Sequence, residues 1–542
     1  MIRPGGRVRR FAFGIAGCAM VAVGLGTLGG PVHARAGGTC TPGSPEANLS
    51  ENGFICPVEV GQSGGLGEPT IIHDDGAGNG TSNTPRLFVT APQAIGNVNS
   101  SGGSPLFTSL DGGLTWGAPV RSQECTGLSG GDTDLAVDGN DSVFQTDLWL
   151  GNSCLSASDD HGQSFCAGNP YGTQPVPGDD RPWLALDKAS SNLYASYDGE
   201  TAIYLTNTAP TNTVPAGTCP ATAIQTIGQM AVVPEVAVSS STSTPGVRQC
   251  VCPPGGDAVD NSSGGPHSHT HRVFVSYSYQ GGTEVSYMDP TCNAGGCFQS
   301  TWTQGAEIGD STGASAFEDE WNFSPIKVDS NGTVYVMWAH ALNWDNTNRL
   351  AGAGGVQEYY AYSHDGGATW SAPILLSTED GSNGLAGTTT FPTMDVVGPG
   401  VIDAAWYGTS ATGDPNAVPS NAQWNVYYTR VSNADSATPT TTGPELAVED
   451  MHNGCIQTGG GASCSDRSLL DFFTLIDDPG SPYIIYTDGD VTNGVNLFFT
   501  KLASPAVGTP EVPWTGMLLL PGLAALGLTF TRRYRGSASP TL

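Results

Sequence analysis

Cations are what this chain of 542 residues has least of: Lys+Arg total 19, against 50 Asp+Glu. All the acids fall between residues 37 and 512, and that stretch holds only 8 Arg and 3 Lys. The formal net charge of the whole chain is −31. This excludes non-specific nucleic-acid binding, which needs clustered cations to displace phosphate counterions. It also argues against docking on an anionic lipid surface. Paired CxxC motifs are missing, and with them a thiolate zinc site. There is no dense DxDxDG calcium loop and no helix-period segment of any length between the two ends. The 11 Trp, 17 Tyr and 17 Phe exclude a disordered acidic chain. With 75 Gly and 38 Pro they describe a folded, turn-rich protein of short strands. The chain is too long for one ordinary core, so it holds several domains or one repeat architecture.

Both ends read as addresses. Arg7, Arg9 and Arg10 precede an apolar Gly/Ala-rich run at 11–30, and Ala34-Arg35-Ala36 supplies a small-x-small exit, so 1–36 reads as an export signal. After a linker at 506–513, residues 514–531 are uncharged and mostly apolar, just long enough to cross a hydrocarbon layer. Arg532, Arg533 and Arg535 open a basic tail, 532–542, that should stay cytoplasmic and leave the acidic part outside. The layout is similar to bacterial C-terminal sorting tails. Removing the signal takes Cys18 from the 13 cysteines and leaves an even number, several close in sequence, such as Cys455 and Cys464. Local disulfides in an oxidising compartment are the plain reading.

One eight-residue pattern occurs three times: Ser109-Leu110-Asp111-Gly112-Gly113-Leu114-Thr115-Trp116, Ser158-Asp159-Asp160-His161-Gly162-Gln163-Ser164-Phe165 and Ser363-His364-Asp365-Gly366-Gly367-Ala368-Thr369-Trp370. It suits a tight hairpin. The Asp accepts hydrogen bonds from turn N–H groups, Gly permits positive φ, and the ring packs beneath. A broader unit, an apolar strand ending in a turn and a returning strand, recurs seven times, with first strands at 69–74, 133–138, 182–187, 234–239, 324–329, 392–397 and 472–477. Four strands per unit around an axis is the propeller solution.

The eight-residue pattern resembles the Asp box, or bacterial neuraminidase repeat, of the sialidase-like β-propeller superfamily. The resemblance implies an all-β, six- or seven-bladed β-propeller of sialidase type over 61–505, after an N-terminal segment at 37–60 and before a C-terminal transmembrane helix. Family sialidases have six blades, and the count here is seven. The resemblance also makes the box a structural turn on the face away from the active site, so its Asp residues are not expected to be catalytic.

The turns that enter the inner strands open on the opposite face. They carry Glu68, Asp132, Asp134, Asp180, Arg181, Glu235, Asn322 and Asp471, with Glu318-Asp319-Glu320 and Arg467 just ahead and Trp344, Arg349 and 408–424 in nearby loops. The sialidase resemblance implies three arginines on a sugar carboxylate, here Arg181, Arg349 and Arg467, with Trp344 also lining the substrate site. It implies Asp180 or Asp132 as acid/base, Glu320 as activating base, and Tyr407 or Tyr486 as nucleophile. The family's Arg-Ile-Pro motif is absent, and Asp180-Arg181-Pro182-Trp183 is the nearest string. The competing reading pairs Arg181 and Arg467 with acidic neighbours such as Asp180 and Asp471.

Crowded carboxylates favour a bound cation or raised proton affinities, which points to calcium at the mouth or in the loop 134–141, with no cofactor otherwise required. If extended, the segment of His267, His269 and His271 presents three imidazoles on one face, a geometry for zinc, copper or nickel. The functional expectation is a cell-surface exo-glycosidase, sialidase-like, that acts on extracellular glycans or glycoproteins and touches the membrane only through its C-terminal helix. Its rivals are a non-catalytic glycan- or protein-binding propeller and a structural surface-layer component. What separates them is whether the arginines converge at the axis.

Overall fold

The structure, a computed structural model, describes residues between 53 and 503, with internal breaks of which the longest are 75–85, 93–102, 171–179, 209–225, 235–253, 309–322 and 378–386. The export signal, linker, apolar run and basic tail expected at 1–36 and 506–542 lie outside the described residues. Among the described residues every regular element is a strand, and no helix is long and apolar enough to cross a membrane.

The strands form seven antiparallel blades. Their inner strands are Thr70–His73, Thr133–Val137, Asp180–Asp187, Gly256–Val259, Ile326–Val328, Thr388–Gly398 and Thr474–Asp478. Each contacts the next and the last contacts the first, which closes a ring. The fourth strand of the seventh blade is not its own: Val58–Glu59, from the start of the described chain, pairs with Asn496–Lys501 at Val58↔Phe499. A ring clasped this way has no long free edge.

Inner strands end where an Asp carboxylate gathers the N–H groups of the following turn. Asp138 Oδ1 accepts from Asn140 and Ser142, Asp187 Oδ1 from Ala189 and Ser190, and Asp329 Oδ1 from Asn331 and Thr333. The fourth inner strand corrects the sequence expectation. Residues up to Pro234 belong to the outer strand of the third blade, Thr226–Pro234, and Gly256–Val259, followed by Asp260, takes the inner place.

The three eight-residue repeats fold alike. In the first, Thr115 donates to Asp111 through its N–H (2.9 Å) and its hydroxyl (2.6 Å), and Gly113 N–H donates to Ser109 Oγ at 2.9 Å. The second and third repeat these bonds through Asp160 and Asp365. All three sit between the third and fourth strands of their blades, at the end of the ring opposite the inner-strand starts.

Each repeat also leans on the preceding blade. A Cβ on Gly113 would lie 2.1 Å from Phe499, one on Gly162 2.7 Å from Leu106, and one on Gly367 3.3 Å from Tyr287. Gly113, at φ +89°, has no room for a methyl group. Gly113→Ala is expected to destabilise the protein by about 1–3 kcal/mol through overpacking of the blade-seven contact. A denaturation midpoint equal to wild type would show that this contact yields freely.

Because every blade is sandwiched, both faces of its strands are buried, and cores form between neighbours. Tyr335, Met337, Met394 and Trp406 pack between blades five and six, and Tyr407, Trp424, Phe473 and Tyr486 between six and seven. The Cys455–Cys464 disulfide lies in the connection from blade six to blade seven. Inner strands of all seven blades line an axial cavity of ≈ 400 Å³.

Candidate functional site at the axial mouth

The mouth is made by a repeated backbone device. Glu68, Arg181 and Phe391 each precede a proline and each have positive φ, at +51°, +48° and +60°; Leu470, just ahead of Asp471, is at +58°. Non-glycine residues rarely adopt this region, and they cluster where structure overrides local preference. In blades three and six the kink coincides with a break in inner-strand register, between Asp180 and Trp183 and between Thr390 and Thr393. A bulge of this kind re-aims side chains.

What it aims here is Arg181, which is 4 % exposed. Its Nη2 lies 2.7 Å from Glu68 Oε1, 3.7 Å from Asp132 Oδ1 and 3.9 Å from Asp471 Oδ2. Its guanidinium lies between two rings, 4.7 Å from the centroid of Phe323 and 4.8 Å from that of Phe472. Despite the cost of burial, Asp132 and Glu68 hold it firmly charged. Nε and Nη1 are buried without hydrogen-bond partners. Trp183 completes an aromatic trio, 5.0 Å from Phe472 and 5.7 Å from Phe323, and its indole N–H donates to the Pro254 carbonyl at 2.6 Å.

The carboxylates around this hub differ in environment. Glu68 is 1 % exposed, and burial, reinforced by Asp132 and Asp471, pushes its proton affinity up to about 8 against the pull of Arg181. Asp180 and Asp132 both accept the backbone N–H of Arg181, at 3.0 and 3.3 Å. Asp180 touches solvent at the rim, yet the protein crowded around its carboxyl strips away much of the water. That desolvation, and then the charge of Asp132, lift it to about 7. Asp471 is clamped by both terminal nitrogens of Arg467, at 2.6 and 2.7 Å. Deeper in the cavity, burial lifts Asp134 to about 6. Burial, with Asp134 next, pushes Asp257 well above the usual carboxylate range.

The expected sugar-carboxylate triad is not offered by the two arginines that can be placed. Arg181 and Arg467 do meet at one carboxylate, but it is the protein's own Asp471. The side chain of Arg349, like that of Trp344, lies outside what is described; the backbone puts both in the hairpin of Trp344–Asp345 and Arg349–Leu350. Glu320 also lies outside the described residues. Where calcium is expected at the mouth, the carboxylates gather on Arg181, a built-in cation.

Tyr407 and Tyr486 are corrections. Both are 0 % exposed. Tyr407 stacks on Phe473 at 4.2 Å and Tyr486 on Phe498 at 6.1 Å. They are core residues between blades and cannot reach a sugar.

The three histidines do not form one ligand face, because their segment turns instead of extending. His267 stacks on His364 at 4.1 Å, His269 Nδ1 lies 2.9 Å from the His267 carbonyl oxygen, and His271 Nδ1 lies 2.6 Å from Asp187 Oδ2. The sequence places Glu68 at the mouth without giving it a role. Phe323 and Phe472 escape it, and their position at neighbouring inner-strand starts is the signal that could have found them.

No protein-family model matches the sequence, and no curated protein does. Solved structures do. An α-L-arabinofuranosidase of Fusarium graminearum in complex with arabinobiose is 11% identical, covers 83% of this chain and 97% of its own, with a TM-score of 0.39. An intramolecular trans-sialidase of Ruminococcus gnavus is 12% identical and covers 82% and 96%, at 0.36. A sialidase of Streptococcus pneumoniae is 11% identical and covers 86% and 72%, at 0.37.

Proposed function

We propose that this chain is an exported glycoside hydrolase that acts at the axial mouth through carboxylates, with terminal sugars of neutral charge as its substrates. One observation carries the reading: Asp180 and Asp132, which both accept the Arg181 N–H, stand beside a clamped Asp471 and an aromatic trio at the mouth of an axial cavity. Asp180 and Asp132 crowd the same N–H, so they serve one side of the reaction instead of dividing the roles of acid and nucleophile, which need about 5–9.5 Å between them. Asp180, whose proton affinity is lifted to about 7, is the general acid for the leaving oxygen. Asp471 is the second carboxylate. Its oxygen and that of Asp132 flank the same Arg181 nitrogen at 3.9 and 3.7 Å, so their separation cannot exceed the sum of those distances, which overlaps the working range. Its role is to stabilise positive charge at the anomeric carbon or to attack it. Trp183, Phe323 and Phe472 offer faces for a sugar ring.

Charge decides against an acidic sugar. Both guanidiniums at the mouth are already engaged by the protein's own carboxylates, Arg181 by Glu68 and Arg467 by Asp471, so neither is free to pair with the carboxylate of an acidic sugar. A funnel ringed by seven blades admits a chain end more readily than its middle, which supports exo-action. The export signal and the apolar run at 514–531 support a place at the cell envelope.

The test is aglycone release from a panel of aryl glycosides that includes an α-L-arabinofuranoside, neutral hexosides and a sialoside. Release from a neutral member, reduced at least about 100-fold in both Asp180→Asn and Asp471→Asn, is the expected result. Turnover of the sialoside alone, or activity untouched by both substitutions, would overturn the mechanism. Saturable glycan binding without turnover would favour the non-catalytic rival, for which the aromatic trio suffices.

A further inference from the structure

At the opposite end of the ring, in the seam between blades one and two, Asp74, Asp141 and His161 each offer a ligand atom, and these atoms all lie within 4.8 Å of one another. We infer that this is a divalent transition-metal site, of the zinc or manganese class, which staples the first blade to the second.

Its parts come from three turns. Asp74 ends the inner strand of blade one and is 0 % exposed; Asp141 lies in the first turn of blade two and is 4 % exposed. His161 belongs to the eight-residue turn of blade two, which leans on blade one through Gly162. At the matching place the other two repeats carry glycine, Gly112 at φ +69° and Gly366 at φ +66°. His161 has φ +60°, a conformation that disfavours any side chain but suits glycine. The turn therefore carries an imidazole at some cost to its backbone, and that imidazole lies beside two buried carboxylates.

An independent observation points to a ligand. His161 Nδ1 is buried and has no hydrogen-bond partner, whereas buried polar atoms are nearly always satisfied. The surroundings also suit a metal. Asp74 is fixed from behind by Arg86, whose backbone N–H donates to Oδ1 at 2.8 Å and whose Nη1 lies 3.4 Å from Oδ2. Outer bonds of this kind orient ligating carboxylates.

The donor set selects the metal class. Two carboxylates and one imidazole suit zinc, manganese or ferrous iron, whereas calcium takes oxygen donors. The loop in which calcium was expected, 134–141, thus contributes Asp141 to a different ion. Its Asp138 is taken up by turn N–H groups, and its Asp134 faces the axial cavity.

The experiment strips the full-length chain with a chelator, adds zinc and removes the excess by desalting. Metal is then counted by mass spectrometry and the unfolding midpoint recorded. Wild type should keep one equivalent and gain several degrees. A triple variant with His267, His269 and His271 all replaced by asparagine should do the same, which separates this site from that cluster. His161→Gly restores the turn of the sister repeats, so it should fold at least as stably as the stripped wild type, hold no zinc and gain nothing from it. Asp141→Asn, which tolerates positive φ, should also lose the metal. Cobalt substitution gives a second reading, a visible band present in wild type and absent from His161→Gly. The inference is overturned if wild type keeps no equivalent, or if His161→Gly and Asp141→Asn keep the same amount as wild type.

Discussion

Arg181→Met should cost the protein about 3–5 kcal/mol, the range seen when one member of a buried ion pair is removed. Methionine keeps apolar bulk between Phe323 and Phe472, so the loss reports charge more than packing. At pH 9, above the value of about 8 to which Glu68 is lifted, that residue, 1 % exposed and 2.7 Å from the guanidinium, would be left without its counter-charge, with Asp132 and Asp471 still close. Whole domains are stable by only about 5–15 kcal/mol, so the shift in denaturation midpoint should be plain. Adding Glu68→Gln to Arg181→Met should return part of the loss, because it removes the stranded charge, and the cycle should show coupling of about 0.5–3 kcal/mol. If the single variant unfolds within ~1 kcal/mol of wild type, water reaches the hub and the buried-cluster picture is wrong.

That the hub exists was partly legible in the sequence. The inner strands of blades one, three and six carry a proline at or near their mouth end, and the residue ahead of each proline carries the kink. Ordering Glu68 and Arg181 on those starts put them at one mouth. The pairing of Arg181 with carboxylates was legible too, since acids outnumber bases so heavily.

The rest was hidden for physical reasons. A tyrosine at the end of a strand looks like a nucleophile only if that end is open. Tyr407 and Tyr486 lie on strands covered on both faces by neighbouring blades, and no one-dimensional pattern reveals the second cover. The fourth blade was misplaced because Pro234 imitates the proline that opens other inner strands. The better signal was the terminal Asp: Asp257-Ala258-Val259-Asp260 matches Asp134-Leu135-Ala136-Val137-Asp138 in ending on the carboxylate that braces the turn. The seam between blades one and two joins residues from three turns. Only the odd histidine among glycines marks it in the sequence.

The carboxylates also set how stability should depend on pH. In the folded protein Glu68 is lifted to about 8 by burial. Asp477 is lifted to about 7, by burial and then by Asp403, and Asp134 to about 6 by burial. In the unfolded chain such groups titrate near ~4. The folded state therefore binds protons that the unfolded state has released, and unfolding free energy must fall as pH rises through this window. The contribution is fully present below about pH 4 and is lost progressively up to about pH 8.

The turn residues run the other way. Partial burial opposes it, but hydrogen bonds from Thr115, Ser164 and Thr369 hold Asp111, Asp160 and Asp365 below the ordinary value. Their stabilisation is lost only when pH falls through those lowered values. Between pH 5 and 8.5 the raised group sets the carboxylate contribution, on the order of 5 kcal/mol in total, at ~1.4 kcal/mol for each tenfold change in proton affinity. That lowers the melting temperature by roughly 5 °C for a fold of this size. Asp180 is exposed on the rim, so solvent screening leaves it little share.

Calorimetry at pH 5, 7 and 8.5 reads the slope, and Asp134→Asn, which can still accept the Leu184 N–H now bonded to Asp134 at 2.8 Å, should flatten it. A melting temperature that is level or rising over this span would mean that the buried carboxylates are ionised in the fold. Asp180 would then lose its footing as a general acid, because both conclusions rest on the same crowding of carboxylates in a desolvated mouth.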